Sequence, residues 1–156
     1  MMSLDSIFAL FGFSDGGKDP KETKKMRAEL DEFKKTPYFK LGMFYKLIMN
    51  GQTFKKQVLN FFSKADPSLD VVGIDDAGEF MMFTRAYFWI EGFKFRSKVW
   101  KEDLKKYSTE EFLVAVKLSI NYFEGTEEYE KCAHLKKIQI LVEKNLKEQK
   151  IRDYLK

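Results

Sequence analysis

Apolar side chains recur along this chain at spacings of three and four residues, and that period restricts the fold more than any other feature of the sequence. One unbroken series of apolar or small side chains crosses the middle of the chain: Phe83, Ala86, Ile90, Phe93, Ser97, Trp100, Leu104 and Tyr107. A polar series keeps the same period: Lys94, Lys98, Lys101 and Lys105. A strand alternates its side chains every two residues, whereas spacings of three and four place them on one helical face. We therefore predict one long helix over about residues 77–107, with Gly92 as a kink point.

Helix boundary signals divide the rest of the chain. Asp19 and Thr36 each precede a proline, an arrangement typical of an N-cap followed by the first helical residue. Gly51 and Gly125 predict helix ends. Residues 109–123 are apolar nearly all round, so this helix is predicted to be central. We predict an all-α fold, a compact bundle of six to seven helices with one long central helix and a C-terminal αα-hairpin.

The start of the chain differs in character from the rest. Residues 1–13 carry an apolar stripe of helical spacing, made of Leu4, Ile7, Phe8 and Phe11. Residues 14–19 form a Gly-rich connector, and residues 20–156 are predicted to be a single helical domain. A tethered apolar helix is a form that enters a partner's groove. Packing on the chain's own core is the other interpretation, and the absence of Lys and Arg from the segment disfavours a membrane surface.

Composition excludes several kinds of site. The 156 residues include one Cys and one His, which excludes an internal disulfide, a multi-Cys zinc site and a His–His metal site. Residues 12–19 approach a phosphate-binding loop, but Asp19 stands where Ser or Thr would bind Mg²⁺. Cys132 and His134 are two residues apart and face different directions on a helix. We predict no catalytic residue, no metal site, no cofactor and no small-molecule substrate, and hence a protein that is not an enzyme.

Residues 80–90 form the densest apolar region of a chain that holds 16 Phe. They cover more helix faces than one small core fills, and Met and aromatic residues are enriched in protein interfaces. Two interpretations stay open, burial in the core and contact with a partner or a second copy. Besides the N-terminal stripe, the candidate partner-binding residues are Met81, Met82, Phe88 and Trp89.

The formal charge of +4 hides alternating basic and acidic blocks along the chain. Lysines are interleaved with Phe and Tyr, which suits amphipathic helices and also suits nucleic acid, whose phosphates attract Lys and whose bases stack on aromatic rings. The candidate residues for contact with nucleic acid or an acidic partner are Lys34, Lys35, Lys40, Lys55, Lys56, Lys94, Lys98 and Lys101.

Residues 122–138, with the sequence YFEGTEEYEKCAHLKKI, resemble the turn of helical hairpins in two families. In the tetratricopeptide repeat, a Gly and then Tyr-Glu-Lys-Ala open the second helix, and a hairpin of bacterial excision-repair nuclease subunits carries a Tyr-Glu-Lys-Ala-Ala-x-Leu-Arg run. The corresponding residues here are Gly125, Tyr129, Glu130, Lys131, Cys132, Ala133, Leu135 and Lys136. The resemblance covers about a tenth of the chain. It implies an αα-hairpin and a protein-binding role, and it carries over no specific function.

These features favour a non-catalytic interaction or structural protein, a small subunit or adaptor in a larger protein assembly such as a virion or a secretion complex. A protein partner or self-association is the expected mode of binding. The alternative is a nucleic-acid-binding accessory protein. No apolar run reaches the length of a transmembrane helix, and the first residues lack the basic start of a signal peptide. We expect an intracellular protein, or one inside a particle assembled within the cell.

Overall fold

A computed structural model describes residues 19–156 of the chain. Helices make up 84% of this part, which contains no strand. Its six helices are α1 (Pro20–Lys34), α2 (Pro37–Ala65), α3 (Val71–Ile90), α4 (Lys98–Tyr107), α5 (Glu110–Gly125) and α6 (Tyr129–Tyr154). The predicted all-α fold is confirmed, and α5 and α6 form the C-terminal αα-hairpin. The predicted docking segment 1–13 and residues 14–18 of the connector lie outside the described residues.

Helix α5 lies at the centre because it is apolar on nearly every side. Its buried residues are Phe112, Leu113, Ala115, Val116, Ser119, Ile120 and Phe123. The Phe112 ring meets Phe44 of α2 at 5.8 Å and Tyr107 of α4 at 6.0 Å between ring centroids. The facing helix α6 contributes Cys132, Leu135, Ile138, Val142 and Leu146. Each large apolar side chain contributes about 1.5–3 kcal/mol by leaving water. Helices α2, α3 and α6 pack on α5, whereas α1 and α4 pack chiefly on α2.

The turn between α5 and α6 places a glutamate in the left-handed region of backbone space. Glu127 has a φ of 61°. Its N–H donates to the carbonyl of Glu124 at 3.2 Å, and the N–H of Glu128 donates to the carbonyl of Phe123 at 2.9 Å. These two bonds satisfy carbonyls that the end of a helix leaves without partners. Gly125 is the last helical residue, so the glycine precedes the strained position and does not occupy it.

The predicted single helix over residues 77–107 is wrong, because the chain leaves the helix after Ile90 and resumes it at Lys98. Phe93 is buried, and its ring meets both Phe95 and Trp100 at 4.9 Å between centroids. In a continuous helix, residues 93 and 95 would point about 200° apart and could not pack on each other. The loop turns both rings inward, and the hydroxyl of Ser97 then caps α4.

The predicted helix end at Gly51 is also wrong, since α2 continues to Ala65. Glycine inside a helix costs about 0.5–1 kcal/mol relative to alanine. Here the missing side chain permits a close approach of α3, because the thioether of Met82 occupies the space that a Cβ on Gly51 would need. Packing between the two helices therefore offsets the local preference for a helix end.

The α2–α3 hairpin is longer than the core against which it packs. The buried residues of α2 lie between Leu41 and Ile48, and those of α3 lie between Phe83 and Ile90. No residue of the range 51–65 is buried. At about 1.5 Å per residue, this part of α2 extends the hairpin about 22 Å beyond the core. We call residues 51–82 the distal hairpin.

The loop 91–97 rests on α6 through the single histidine of the chain. The His134 ring meets Phe95 at 5.4 Å and Tyr87 at 5.6 Å between centroids. Its Nδ1 lies 3.3 Å from the hydroxyl of Tyr87, while its Nε2 is buried and has no hydrogen-bond partner among residues 19–156. Burial lowers the pKa of His134 and Lys137 lowers it further, and both effects outweigh the opposing effect of Glu91.

This environment predicts a loss of stability in mild acid. In the unfolded chain the imidazole keeps its ordinary pKa near 6.5. Below that pH the unfolded state takes up a proton that the folded state binds less readily. The free energy of unfolding therefore decreases as the pH falls from the ordinary pKa to the lower pKa of the folded state. Above the ordinary pKa the imidazole is neutral in both states, and the contribution of His134 to the free energy of unfolding is fully present. Urea unfolding of the wild type between about pH 7.5 and about pH 5.5 should show this decrease.

The substitution His134→Gln serves as the control for this prediction. It keeps a polar side chain of similar reach but removes the proton uptake, and no other histidine titrates in this range. The variant should therefore show a flatter pH dependence than the wild type. Parallel curves for the two proteins would contradict the assignment to His134.

Candidate functional site

One face of the α2–α3 hairpin carries a regular series of side chains on each helix. On α2 the series is Leu47, Gly51, Phe54, Val58 and Phe61. On α3 it is Ile74, Gly78, Met81, Arg85 and Phe88. Both series advance by four, three, four and three residues, which is the spacing of core positions in a helix that packs against others in a bundle. We call these ten residues the seam face.

The seam face is largely exposed in the part of the chain that the structure describes. Phe54 and Phe61 are each 67% exposed, Phe88 is 64% exposed and Met81 is 53% exposed. Between the helices runs a groove of about 430 Å³, whose floor includes Val58. Large aromatic side chains clustered in this way retain an unfavourable contact with water, and such patches mark interaction sites more often than isolated exposed residues do.

An ion-pair cluster holds the two helices of the distal hairpin together. The ammonium of Lys55 lies 2.8 Å from a carboxylate oxygen of Asp75 and donates a hydrogen bond of 2.6 Å to Glu79. Partial burial by itself would lower the pKa of Lys55, but the two carboxylates outweigh it and raise that pKa. The cluster lies beyond the apolar core, where it replaces apolar contacts between α2 and α3.

The structure separates the four α3 residues predicted to bind a partner into two pairs. Met81 and Phe88 belong to the exposed seam face. Met82 packs against the core. The Trp89 ring lies between those of Phe39 and Phe88, at 5.6 Å and 5.9 Å between ring centroids. The other predicted partner-binding residues, Leu4, Ile7, Phe8 and Phe11, lie outside the described residues.

The predicted basic contact residues have different surroundings. Lys55 is held by Asp75 and Glu79, and Lys35 pairs with Glu32 at 2.8 Å. The ammonium of Lys40 lies over the Trp100 ring at 6.0 Å from its centroid. The exposed side chains that make no ion pair among the described residues are Lys34, Lys56, Lys94 and Lys101. Of the predicted set, Lys98 and Lys101 line the same cleft.

A basic cleft of about 360 Å³ lies between α4 and α6. Its charged residues are Arg96, Lys98, Lys101, Glu102, Lys105, Lys144 and Glu148. The ammonium of Lys98 lies 3.8 Å from a carboxylate oxygen of Glu102, and the ammonium of Lys144 lies 4.0 Å from one of Glu148. Within residues 19–156 the remaining three cations have no carboxylate within 4.0 Å, so they leave the cleft positive.

Cys132 and His134 point to different surroundings, as their spacing predicted. The thiol of Cys132 is buried and lies 3.7 Å from the carbonyl of Ile120. Burial raises the pKa of this thiol, which disfavours the reactive thiolate. Nowhere in residues 19–156 do three His, Cys, Asp or Glu side chains come together as a metal-binding group. None of the six described helices is both long and apolar enough to cross a membrane.

Sequence reasoning missed the α2 side of the seam face. No partner-binding residue was predicted on α2, so Phe54, Val58 and Phe61 are candidates that come from the structure. The signal that would have found the surface is the alternation of four- and three-residue spacings on two adjacent segments. Periodicity alone gives no information on whether such a stripe is covered, so the exposure of these residues had to come from the structure.

Comparison with known proteins adds no family assignment, because no protein-family model, no curated protein and no solved structure matches this chain.

The ion-pair cluster predicts unequal effects at two adjacent lysines. Lys55→Gln leaves Asp75 and Glu79 close together without their cation, and it should lower the free energy of unfolding by about 1 kcal/mol. Lys56→Gln is the matched control, because Lys56 is exposed and forms no ion pair among the described residues. Its effect should stay within about 0.5 kcal/mol.

Two measurements check this prediction. Urea unfolding gives the change in global stability, and amide hydrogen exchange gives the local opening of residues 51–65. Faster exchange in that range for Lys55→Gln alone is the expected result. Equal exchange in both variants would show that the cluster does not hold the distal hairpin together.

Proposed function

We propose that this protein is a non-catalytic interaction subunit that joins a larger protein assembly by helix–helix docking. The observation that carries the proposal is the seam face, a bundle-type series of side chains on two adjacent helices. Leu47 at one end packs on the core, but Phe54, Phe61, Met81 and Phe88 are all more than half exposed. A hairpin with such a face completes a helical bundle when it meets further helices. Apolar burial supplies the driving force, and the central aromatic residues supply most of the binding energy.

The position of the face supports the same function. It lies on the side of α3 opposite to Phe83 and Ala86, which are buried in the protein's own core. Docking there leaves that core intact, because it needs no rearrangement of α5 or α6. The N-terminal segment with Leu4, Ile7, Phe8 and Phe11 remains a proposed second contact.

Affinity capture from an extract of the source cells tests this function. The full chain and its Phe54→Glu variant are compared by quantitative mass spectrometry of the captured proteins. We expect one or more stoichiometric partners, or tagged and untagged copies of this chain, to be lost with Phe54→Glu. A charge in a buried hot spot costs about 2 kcal/mol or more, which reduces binding by roughly 30-fold.

Ile140→Glu provides the matched control. Ile140 lies on α6 and is 65% exposed, nearly the same fraction as Phe54, but it is not part of the seam face. This variant should keep the wild-type partners. If Phe54→Glu retains every protein captured by the wild type, docking through the seam face is contradicted.

A polyanion-binding role is the second candidate, and the basic cleft between α4 and α6 is the observation that favours it. Its unpaired cations suit phosphate groups. The test is binding of a single-stranded oligonucleotide at several salt concentrations. Joint replacement of Lys101 and Lys105 by Gln should reduce the salt slope by about 1.4, whereas the same change at Lys24 and Lys117 should leave it unchanged. Absence of salt-dependent binding by the wild type would exclude this role.

A further inference from the structure

A groove of about 1000 Å³ runs between α1 and α4, beside the start of α2. Its apolar lining consists of Ala28, Phe33, Pro37, Tyr38 and Val99. Phe33 is 40% exposed, Tyr38 is 41% exposed and Val99 is 56% exposed. Three helices therefore line one apolar surface that the described residues leave open to solvent.

Helix α1 gains little support from the other described helices. It has 15 residues, none of which is buried, and it packs chiefly on α2. Isolated helices of this length are only marginally stable in water, because most of the stability of a helix in a protein comes from the packing of its apolar face. The residues of α1 that line the groove recur at spacings of three and four, so they form one face of the helix. A further helix in the groove gives that face a second packing surface.

The charges around the groove are balanced within the chain. Glu32 pairs with Lys35 at 2.8 Å, and Asp103 pairs with Lys106 at 2.9 Å. The two remaining charged residues of the lining, both on α1, have opposite signs. A polyanion or a strongly basic peptide therefore meets no excess of opposite charge there. The groove suits an apolar occupant with few charges.

The N-terminal segment 1–13 has this character. Its apolar stripe consists of Leu4, Ile7, Phe8 and Phe11. The segment carries a single charged side chain. At the helical rise the stripe is about 11 Å long, and the α1 wall of the groove, from Lys25 to Phe33, is about 12 Å long. The stripe therefore matches the groove in both length and polarity.

The connection to α1 determines where the stripe can reach. Eight residue steps separate Phe11 from Asp19, the N-cap of α1. A Gly-rich chain of that length has a root-mean-square span of about 15 Å. Lys25 lies about 9 Å along α1 from Asp19, and a helix packed beside α1 lies about 9 Å from its axis, so the distance to be spanned is about 13 Å.

This match of span and distance makes even a weak contact effective. A short linker that just spans its two sites gives an effective concentration on the order of 1 mM. The groove is then half occupied when the dissociation constant of the untethered segment is about 1 mM, and it is occupied further when that constant is lower.

We propose that residues 4–11 dock as a helix in the groove between α1 and α4 of the same chain, antiparallel to α1. Phe11 then lies near Lys25, and Leu4 lies near Phe33. This inference goes beyond the proposed function, because the groove shares no residue with the seam face. A partner that binds the apolar stripe has first to displace it from the groove, which lowers the apparent affinity for that partner.

Paramagnetic broadening in the full chain tests the position of the segment. A nitroxide is attached at Ser3→Cys, one residue before the stripe, in a chain with isotope-labelled amides. The thiol of Cys132 is buried, and wild type treated with the same reagent establishes that it stays unlabelled. Amides of residues 33–38 and of Val99 should lose most of their intensity. Amides of residues 58–65, which begin about 30 Å along α2 from Tyr38, should keep theirs.

Two valine variants test the groove itself. Val99 and Val72 are each exposed and each the second residue of a helix, where aspartate is favourable. Val99→Asp places a charge in the groove and should raise the dissociation constant of the docked segment roughly 30-fold, so the intensity of residues 33–38 returns. Val72→Asp is the matched control, and it should keep the broadening of the unsubstituted spin-labelled chain.

Hydrogen exchange of α1 tests whether docking supports this helix. Phe8→Asp changes the stripe, whereas Phe13→Asp makes the same substitution about 200° away from Phe11 on a helix. Exchange of the amides of residues 20–34 should become roughly tenfold faster with Phe8→Asp and stay within about twofold with Phe13→Asp. Equal exchange in the two variants would contradict the proposal.

The spin-label experiment has three further outcomes that overturn docking within one copy. The first is weak, uniform broadening, and the second is broadening centred on the seam face around Phe54. The third appears when spin-labelled chains without isotope are mixed with isotope-labelled chains without spin label. Broadening of residues 33–38 in that mixture would place the segment in the groove of a second copy. None of these outcomes affects the capture experiment with Phe54→Glu, which tests the proposed function separately.

Discussion

The extent of the hydrophobic core determines what the rest of this structure presents to solvent. Helix α5 is buried on most sides and packs on α6 and α2, with Phe112 against Phe44 and Tyr107, but it reaches only the first part of α2. Helix α2 has 29 residues and is about 43 Å long, so more than half of it extends past the last buried residue, Ile48. A helix pair that extends beyond its core must expose apolar side chains, replace them with charges, or meet another surface.

The distal hairpin combines these solutions. On the edge where α2 meets α3, Lys55 with Asp75 and Glu79 takes the place of an apolar core. On the outer face, Phe54 and Phe61 remain exposed in a regular series. Ion pairs at a solvated edge contribute modestly to stability, whereas a row of aromatic side chains in water gains most when it is covered. The distal hairpin therefore combines ion pairs between its two helices with an exposed apolar outer face.

The loop 91–97 shows how a local pattern is overruled by packing. Every spacing from Phe83 to Tyr107 fits one helix, and Lys94, Lys98, Lys101 and Lys105 fit it as well. The chain nevertheless leaves the helix, because a turn lets Phe93 and Phe95 pack together and lets Phe95 reach His134 on α6. Burial of Phe93 and partial burial of Phe95 contribute more than the few backbone bonds that a continuous helix would add, since those bonds only replace bonds to water.

The sequence by itself determined the helical class, the central position of residues 109–123, the C-terminal hairpin and the caps at Asp19 and Thr36, because these depend on neighbours within a few residues. Met81 and Phe88 were predicted as partner-binding residues, and the structure exposes both. The tertiary structure alone decided that α2 runs on through Gly51, that the long predicted helix is broken, and that the seam face lies open. These outcomes depend on which surfaces meet across the fold, and a periodic stripe looks the same in sequence whether it is covered or exposed.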